Sequence, residues 1–213
     1  MYFIITGIQF WVSDYFISVL GVPRETVFIT FPIVFISGPV LGVVTGAVVV
    51  TRMGGYTNPK VLGLCCLGGF FASVFGIPFA FLNSFAWAVA FLWLLLFCGG
   101  MILMPLTGMI INTAPLEIKA VSNSIANIFY NLLGYLPAPF MYGFVQSISG
   151  GNASRVGMMV LVMWTIVGNL CILLVLMTRI GSPEQIAEEP ISTRGHSFGR
   201  SFGYGSVQSP SRF

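Results

Sequence analysis

The sequence predicts an all-α integral membrane protein, a six-helix up-and-down transmembrane bundle over residues 1–180 with a disordered cytoplasmic tail over 181–213. Three observations predict it. Only 7% of residues are charged against 56% hydrophobic, and the mean hydropathy is +0.94, whereas a soluble domain carries about a quarter charged residues. A compact fold with so few charges cannot cover its surface with polar groups, so the bilayer must be its solvent. The apolar residues fall into six runs, each near the roughly 20 residues needed to cross about 30 Å of hydrocarbon. Short connections with turn chemistry separate them, which makes successive helices antiparallel neighbours.

The first span runs from about Tyr2 to Leu20, and the second from about Val27 to Val50. The third covers about Val61 to Leu82, and the fourth about Phe85 to Ile111. The fifth, about Ile118 to Ser147, carries more polar residues than the rest, and the sixth covers about Val156 to Thr178. The connections read GVPRET, TRMGGYTNPK, LNS, NTAPLEIK and SISGGNASR. Arg52, Lys60, Lys119 and Arg179 lie on one side of the membrane, and only Arg24 and Arg155 lie close to the other. The positive-inside rule then places the second loop, the fourth loop and both termini in the cytosol, in a multi-pass membrane protein of unknown organelle. The Asn152-Ala153-Ser154 sequon falls on the outer side, in a loop close to the membrane.

Several function classes are excluded. The net charge of +3 is spread out and forms no nucleic-acid patch. Cys65, Cys66, Cys98 and Cys171 all lie in apolar runs, which fits reduced packing residues rather than a metal or redox motif. His196 sits in the tail with no partner nearby. Metal-ligand clusters, nucleophile–base pairs within a span and phosphate-binding glycine loops are all missing, so neither an enzyme nor a cofactor is expected. The chain opens directly into MYFIITGIQFWV, with no basic leader and no small-x-small cleavage site. That start fits no signal peptide and suggests a chain whose upstream part is lacking.

Polarity is unequal among the spans. The third has little beyond Ser73 in its core, and the sixth only Thr165 and Asn169, the pattern of helices that face lipid all round. The first carries Thr6, Gln9 and Ser13 on one face, with Asp14 beside it, and the fifth carries Asn123, Asn127, Asn131 and Gly134, with Ser124 adjacent. Such stripes face other helices or a water-filled cavity, because lipid satisfies none of their hydrogen bonds. They read either as a polar solute pathway or as interhelical hydrogen bonding. Asp14 is the only ionisable side chain well inside a span. It is either a site for a proton or a cationic group, or a headgroup-level residue within reach of Arg24. Gly38, Gly42 and Gly46 repeat at the spacing of a close helix–helix contact. Pro32, Pro39, Pro78, Pro105, Pro137 and Pro139 interrupt several spans.

The second loop resembles the cytoplasmic signature of the major facilitator superfamily, a Gly-x-x-x-Asp-Arg-x-Gly-Arg pattern. Here it reads AVVVTRMGG from Ala47 to Gly55: Arg52 and Gly54 match, while Thr51 replaces the acidic residue and Ala47 the first glycine. LGYLPAPFMYG, from Leu133 to Gly143, is similar to the eleventh helix of that family. With PLEIKA at Pro115–Ala120, and Thr6-Gly7 followed by Trp11, the nearest resemblance is to the spinster-like branch. The resemblance covers about residues 1 to 180 and implies the C-terminal half of the fold, with a cytoplasmic gating loop at Arg52, Gly54 and Gly55. Numbered as helices seven to twelve, the two least polar spans become nine and twelve, the two that lie outside the family's cavity.

The function implied is alternating-access transport of a small organic or lipid-like solute, with lysolipids, sphingoid compounds and organic anions as the branch's substrates. The implied partners are the lipid bilayer, the solute, and a missing N-terminal half or partner subunit. The alternative expectation is a non-transporting membrane scaffold or assembly protein that retains the fold.

Overall fold

A computed structural model describes residues 2–56, 58, 60–148 and 153–180. Among the described residues every regular element is a helix, joined by short turns, and there is no strand. The elements are α1 (Tyr2–Ser18), α2 (Arg24–Arg52), α3 (Lys60–Phe81) and α4 (Phe85–Thr113), then a 3₁₀ turn at Leu116–Ile118. They are followed by α5 (Lys119–Phe129), a π-helical segment (Tyr130–Tyr135), α6 (Pro137–Ile148) and α7 (Ala153–Ile180). Residues 181–213, with His196, and Asn152 of the sequon lie outside the described residues.

Four of these helices are long and apolar enough to cross a membrane: Arg24–Arg52, Lys60–Phe81, Phe85–Asn112 and Arg155–Thr178. The other two expected spans differ for separate reasons. α1 has 17 residues and at 1.5 Å per residue rises only about 26 Å, short of the hydrocarbon thickness. The fifth span is no single α-helix, because the π segment divides it into α5 and α6. Pro137 then opens α6, where a missing N–H is least harmful.

The exposed surface is itself apolar. Phe28, Ile29, Ile33 and Ile36 on α2, Leu67 and Phe70 on α3, and Leu170, Leu174 and Met177 on α7 all stand outward. Against water such faces demand a cover. Against lipid they do not, since hydrocarbon is as apolar as leucine.

Two packing seams hold the bundle. In the first, the Gly38, Gly42 and Gly46 face of α2 lies directly on α4. A methyl group at Gly42 would overlap the Phe97 carbonyl oxygen and stand 3.0 Å from the Met101 nitrogen, and one at Gly100 would stand 2.6 Å from the Pro39 oxygen. The expected glycine contact is therefore present, backbone against backbone. Trp93 Nε1 donates to Ser37 Oγ across the same seam at 2.9 Å. The second seam joins α1, α6 and α7. Trp11 stacks on Tyr142 with ring centroids 4.5 Å apart, and the Tyr142 ring lies over Gly157. Ile4, Ile8 and Val12 of α1 are buried in the same core as Met158, Leu161 and Val162 of α7.

The third and sixth spans do not face lipid all round. α3 packs on both α4 and α7 and buries Cys65, Gly68, Gly69, Ala72, Ser73, Gly76 and Phe79. α7 buries Met158, Leu161, Val162 and Thr165. Small residues rather than polar ones mark their inner faces: a methyl at Gly69 would stand 2.5 Å from Asn169 Oδ1, and one at Gly76 2.8 Å from Val162. Polarity alone missed those faces. Of the cysteines, Cys65 and Cys98 are buried as packing residues, whereas Cys171 is exposed.

The loop after α2 is tied by backbone geometry. Gly54 and Gly55 take φ of +94° and +90°, and the Gly55 N–H caps the Val50 carbonyl at 3.0 Å. Asn58 donates to the Met53 carbonyl at 2.5 Å and accepts from the Lys60 N–H at 3.0 Å, so one side chain links the end of α2 to the start of α3. The Tyr56 ring packs over Gly108 of α4. Replacing both Gly54 and Gly55 by alanine forces Cβ atoms into left-handed backbone, at about 1 kcal/mol or more each. We expect the double variant to lower the melting temperature by several degrees in a fluorescence-monitored thermal scan in detergent.

Candidate functional site

The N-terminal end of α1 meets the π segment through tyrosines. The Tyr2 ring lies 4.6 Å from that of Tyr130 and 5.2 Å from that of Tyr135. Gly134 permits this approach, because a methyl there would stand 2.8 Å from Tyr2 Cβ. The Leu136 N–H donates to the Asn131 carbonyl at 3.0 Å, five residues back. That bond makes the turn wider than an α turn, a deviation that recurs at functional sites.

Beside this contact a groove of about 730 Å³ opens between α1, α2 and the fifth helical rod. Thr6, Gln9 and Phe10 line it from α1, and Phe31 from α2. Asn131, Tyr135, Leu136, Pro139 and Phe140 line it from the π segment and the start of α6. The two polar stripes thus meet at one place, through Thr6 and Gln9 on one side and Asn131 on the other. Such a volume is in the range of small-molecule sites, roughly 300–1,000 Å³.

The remaining candidates fall outside this groove. Ser13 is partly buried and Asp14 is exposed, one turn past Gln9 and Phe10 on α1. With α1 ending at Ser18, Asp14 stands near the helix end and is not a deeply buried carboxylate. Asn127 lines a second hollow of about 430 Å³, with Ile128, Asn131, Leu132 and Leu136. Asn123 is partly buried and lines neither. Arg52 is exposed in the last turn of α2, and Gly54 and Gly55 form the turn that follows, away from the groove lining.

The stripes' donors are turned onto their own helices. Thr6 Oγ1 donates to the Tyr2 carbonyl at 2.9 Å. Asn127 Nδ2 donates to the Asn123 carbonyl at 3.0 Å, and Asn131 Nδ2 to the Asn127 carbonyl at 2.7 Å. Ser124, Ser73 and Thr107 make the same bond to the preceding turn. This back-bonding hides a polar group from lipid without a second helix. It leaves Asn131 Oδ1, and the whole Gln9 amide, with no hydrogen bond among the described residues.

Sequence reasoning missed the aromatic part of the lining. Phe10 lies one turn beyond Thr6 and Tyr135 one turn beyond Asn131, so helical spacing could have found them, whereas Phe140 lies nine residues past Asn131, on the opposite face of a regular α-helix, and reaches the groove only through the π segment between them. Phe31 could not be found that way, because it depends on how α2 crosses α1. A second polar cluster was also missed. Arg155, at the start of α7, donates to Asn83 Oδ1 at 2.6 Å and lies beside the Tyr15 hydroxyl, which donates to the Ala80 carbonyl at 3.1 Å. It ties α1, α3 and α7 together at one end of the bundle.

Comparison with protein-family models, curated proteins and solved structures finds no match for this chain.

Proposed function

We propose that this chain is one six-helix bundle of a secondary transporter that moves a small organic or lipid-like solute by alternating access, as the resemblance to the C-terminal half of a major facilitator protein implies. In this reading the four long apolar helices α2, α3, α4 and α7 are joined as crossings by the α5–π–α6 rod and by α1, whose 17 residues sit at the short end of the roughly 17–25 that span a bilayer. The observation that carries this reading is the convergence of Thr6, Gln9 and Asn131 in one groove. Polar side chains inside a membrane are kept where they face a cavity or one another, and a path near the bilayer midplane between bundles needs such a wall. The α5–π–α6 rod supports it further. α5 and the π segment bury no residue, while α6 is docked through Ala138 and Tyr142, both fully buried. A rod held at α6 and at the Tyr2 contact, with α5 left unburied, suits a part that moves at its Lys119 end. In this reading the second bundle is supplied by upstream chain or by a partner subunit.

The test is solute flux in proteoliposomes made with the full chain, screening monoacylglycerols and other uncharged amphiphiles beside lysolipids, sphingoid bases and organic anions. We expect saturable flux that falls about tenfold or more in the Gln9→Leu, Asn131→Leu double variant, since each lost hydrogen bond is worth about 1 kcal/mol. The outward-facing Phe70→Ala serves as the control and should leave flux unchanged. Absence of flux for every solute, with folded protein in the membrane, would favour a non-transporting scaffold.

A further inference from the structure

We infer that the groove binds an uncharged amphiphile, one with a hydroxyl- or amide-bearing head and an apolar body, and excludes organic ions. This assignment rests on reading the groove as the solute pathway. Its nine lining residues include no Lys, Arg, Asp or Glu. A carboxylate, phosphate or ammonium seated against these residues would give up water on this wall and find no counter-charge among them, a cost that neutral hydrogen bonds do not return.

The polar groups that are present suit a neutral head. Gln9 offers both an N–H donor and a carbonyl acceptor, and Asn131 adds an acceptor, since its amide already donates to Asn127. A head carrying both donors and acceptors, as a glycerol or an amide does, answers both. The rest of the wall is mostly aromatic, with Leu136 and Pro139 between the rings: Phe10 and Phe140 are 65% and 73% exposed, and Phe31 lines the groove from α2. Those faces give an apolar body its contact area. Asp14, the carboxylate of α1, stands one turn beyond Phe10, about 6 Å further along the helix by helical rise, and is outside the lining.

The inference is tested with a monoacylglycerol bearing a diazirine on its acyl chain, photolysed on the full chain in neutral-lipid nanodiscs. Competitors are unlabelled monoacylglycerol, a chain-matched lysophosphatidic acid and a chain-matched primary amine. We expect labelling on groove residues, displaced by the neutral competitor at about tenfold lower concentration than by either ion. Gln9→Leu should weaken displacement by roughly threefold to tenfold, and Phe70→Ala should leave it unchanged. Equal displacement by the acid or by the amine would overturn the inference, as would labelling that ignores Gln9→Leu. If the amine competes equally only while Asp14 is intact, and loses that with Asp14→Asn, the site is cationic and the inference falls. The assay needs no flux, so selective labelling by a protein that transports nothing supports the site while ending the transport reading.

Discussion

Alanine at Gly42 should remove about 3 kcal/mol or more of stability, and leucine there should leave no folded protein. The methyl group has no room: it meets the Phe97 carbonyl and the Met101 nitrogen, both backbone atoms of α4. Side chains yield by changing rotamer, but a helix backbone yields only by moving the whole helix, so the cost lies at or above the usual range for overpacking. Gly100→Ala should act in the same direction, through Pro39 of α2. Gly99→Ala is the matched contrast. It is the next residue on α4, yet a methyl there meets nothing within 4 Å. It should be neutral or stabilising by up to about 1 kcal/mol, the helix-propensity gain of alanine over glycine. Denaturant titration in mixed micelles, followed by tryptophan fluorescence, reads all three. Equal effects at Gly99 and Gly100 would contradict the α2–α4 contact described above.

Truncating Tyr142 to alanine should cost about 3 kcal/mol or more, the usual range for removing a buried aromatic ring. The ring is fully buried, stacked on Trp11 and seated on Gly157. In a membrane the water-to-apolar transfer term is weaker, since the unfolded helices already sit in lipid. The lost contacts and the cavity remain, and they dominate. Tyr142→Phe keeps the ring and should cost no more than about 1.5 kcal/mol, one hydrogen bond. The same titration separates the two variants. In addition, Trp11 emission should shift in the alanine variant and hold in the phenylalanine variant, because only the first removes the ring beside the indole.

The residues that were legible in the sequence share a physical cause. Gly38, Gly42 and Gly46 recur every four residues, so they fall on one helix face whatever the tertiary fold. Thr6 and Gln9 likewise share a face. Asn127 and Asn131 do too, and hydropathy alone marks the four longest apolar helices. What was not legible depends on how helices cross. α3 carries too few polar groups to advertise an inner face, yet Gly68, Gly69, Ala72 and Gly76 make it central. The π turn has no compositional mark, since Tyr130–Tyr135 reads as ordinary helix and the Leu136-to-Asn131 bond is visible only in three dimensions. The asparagine stripe suggested bonds to a neighbouring helix or to water, because periodicity shows a face but not where an amide turns. Asn127 and Asn131 turned back onto their own carbonyls. Hydropathy carries the first span to about Leu20, whereas α1 closes at Ser18, so Asp14 lies nearer the boundary than the apolar run implies.

The glycine seam between α2 and α4 has a mechanical consequence. Two backbones in direct contact have no side-chain rotamers between them, so the pair offers no soft degree of freedom along which to slide or swivel by small steps. Trp93 and Ser37 pin the same pair a second time. α2 and α4 therefore behave as one plank, and Phe31, the residue of α2 in the groove wall, keeps its position as part of that plank.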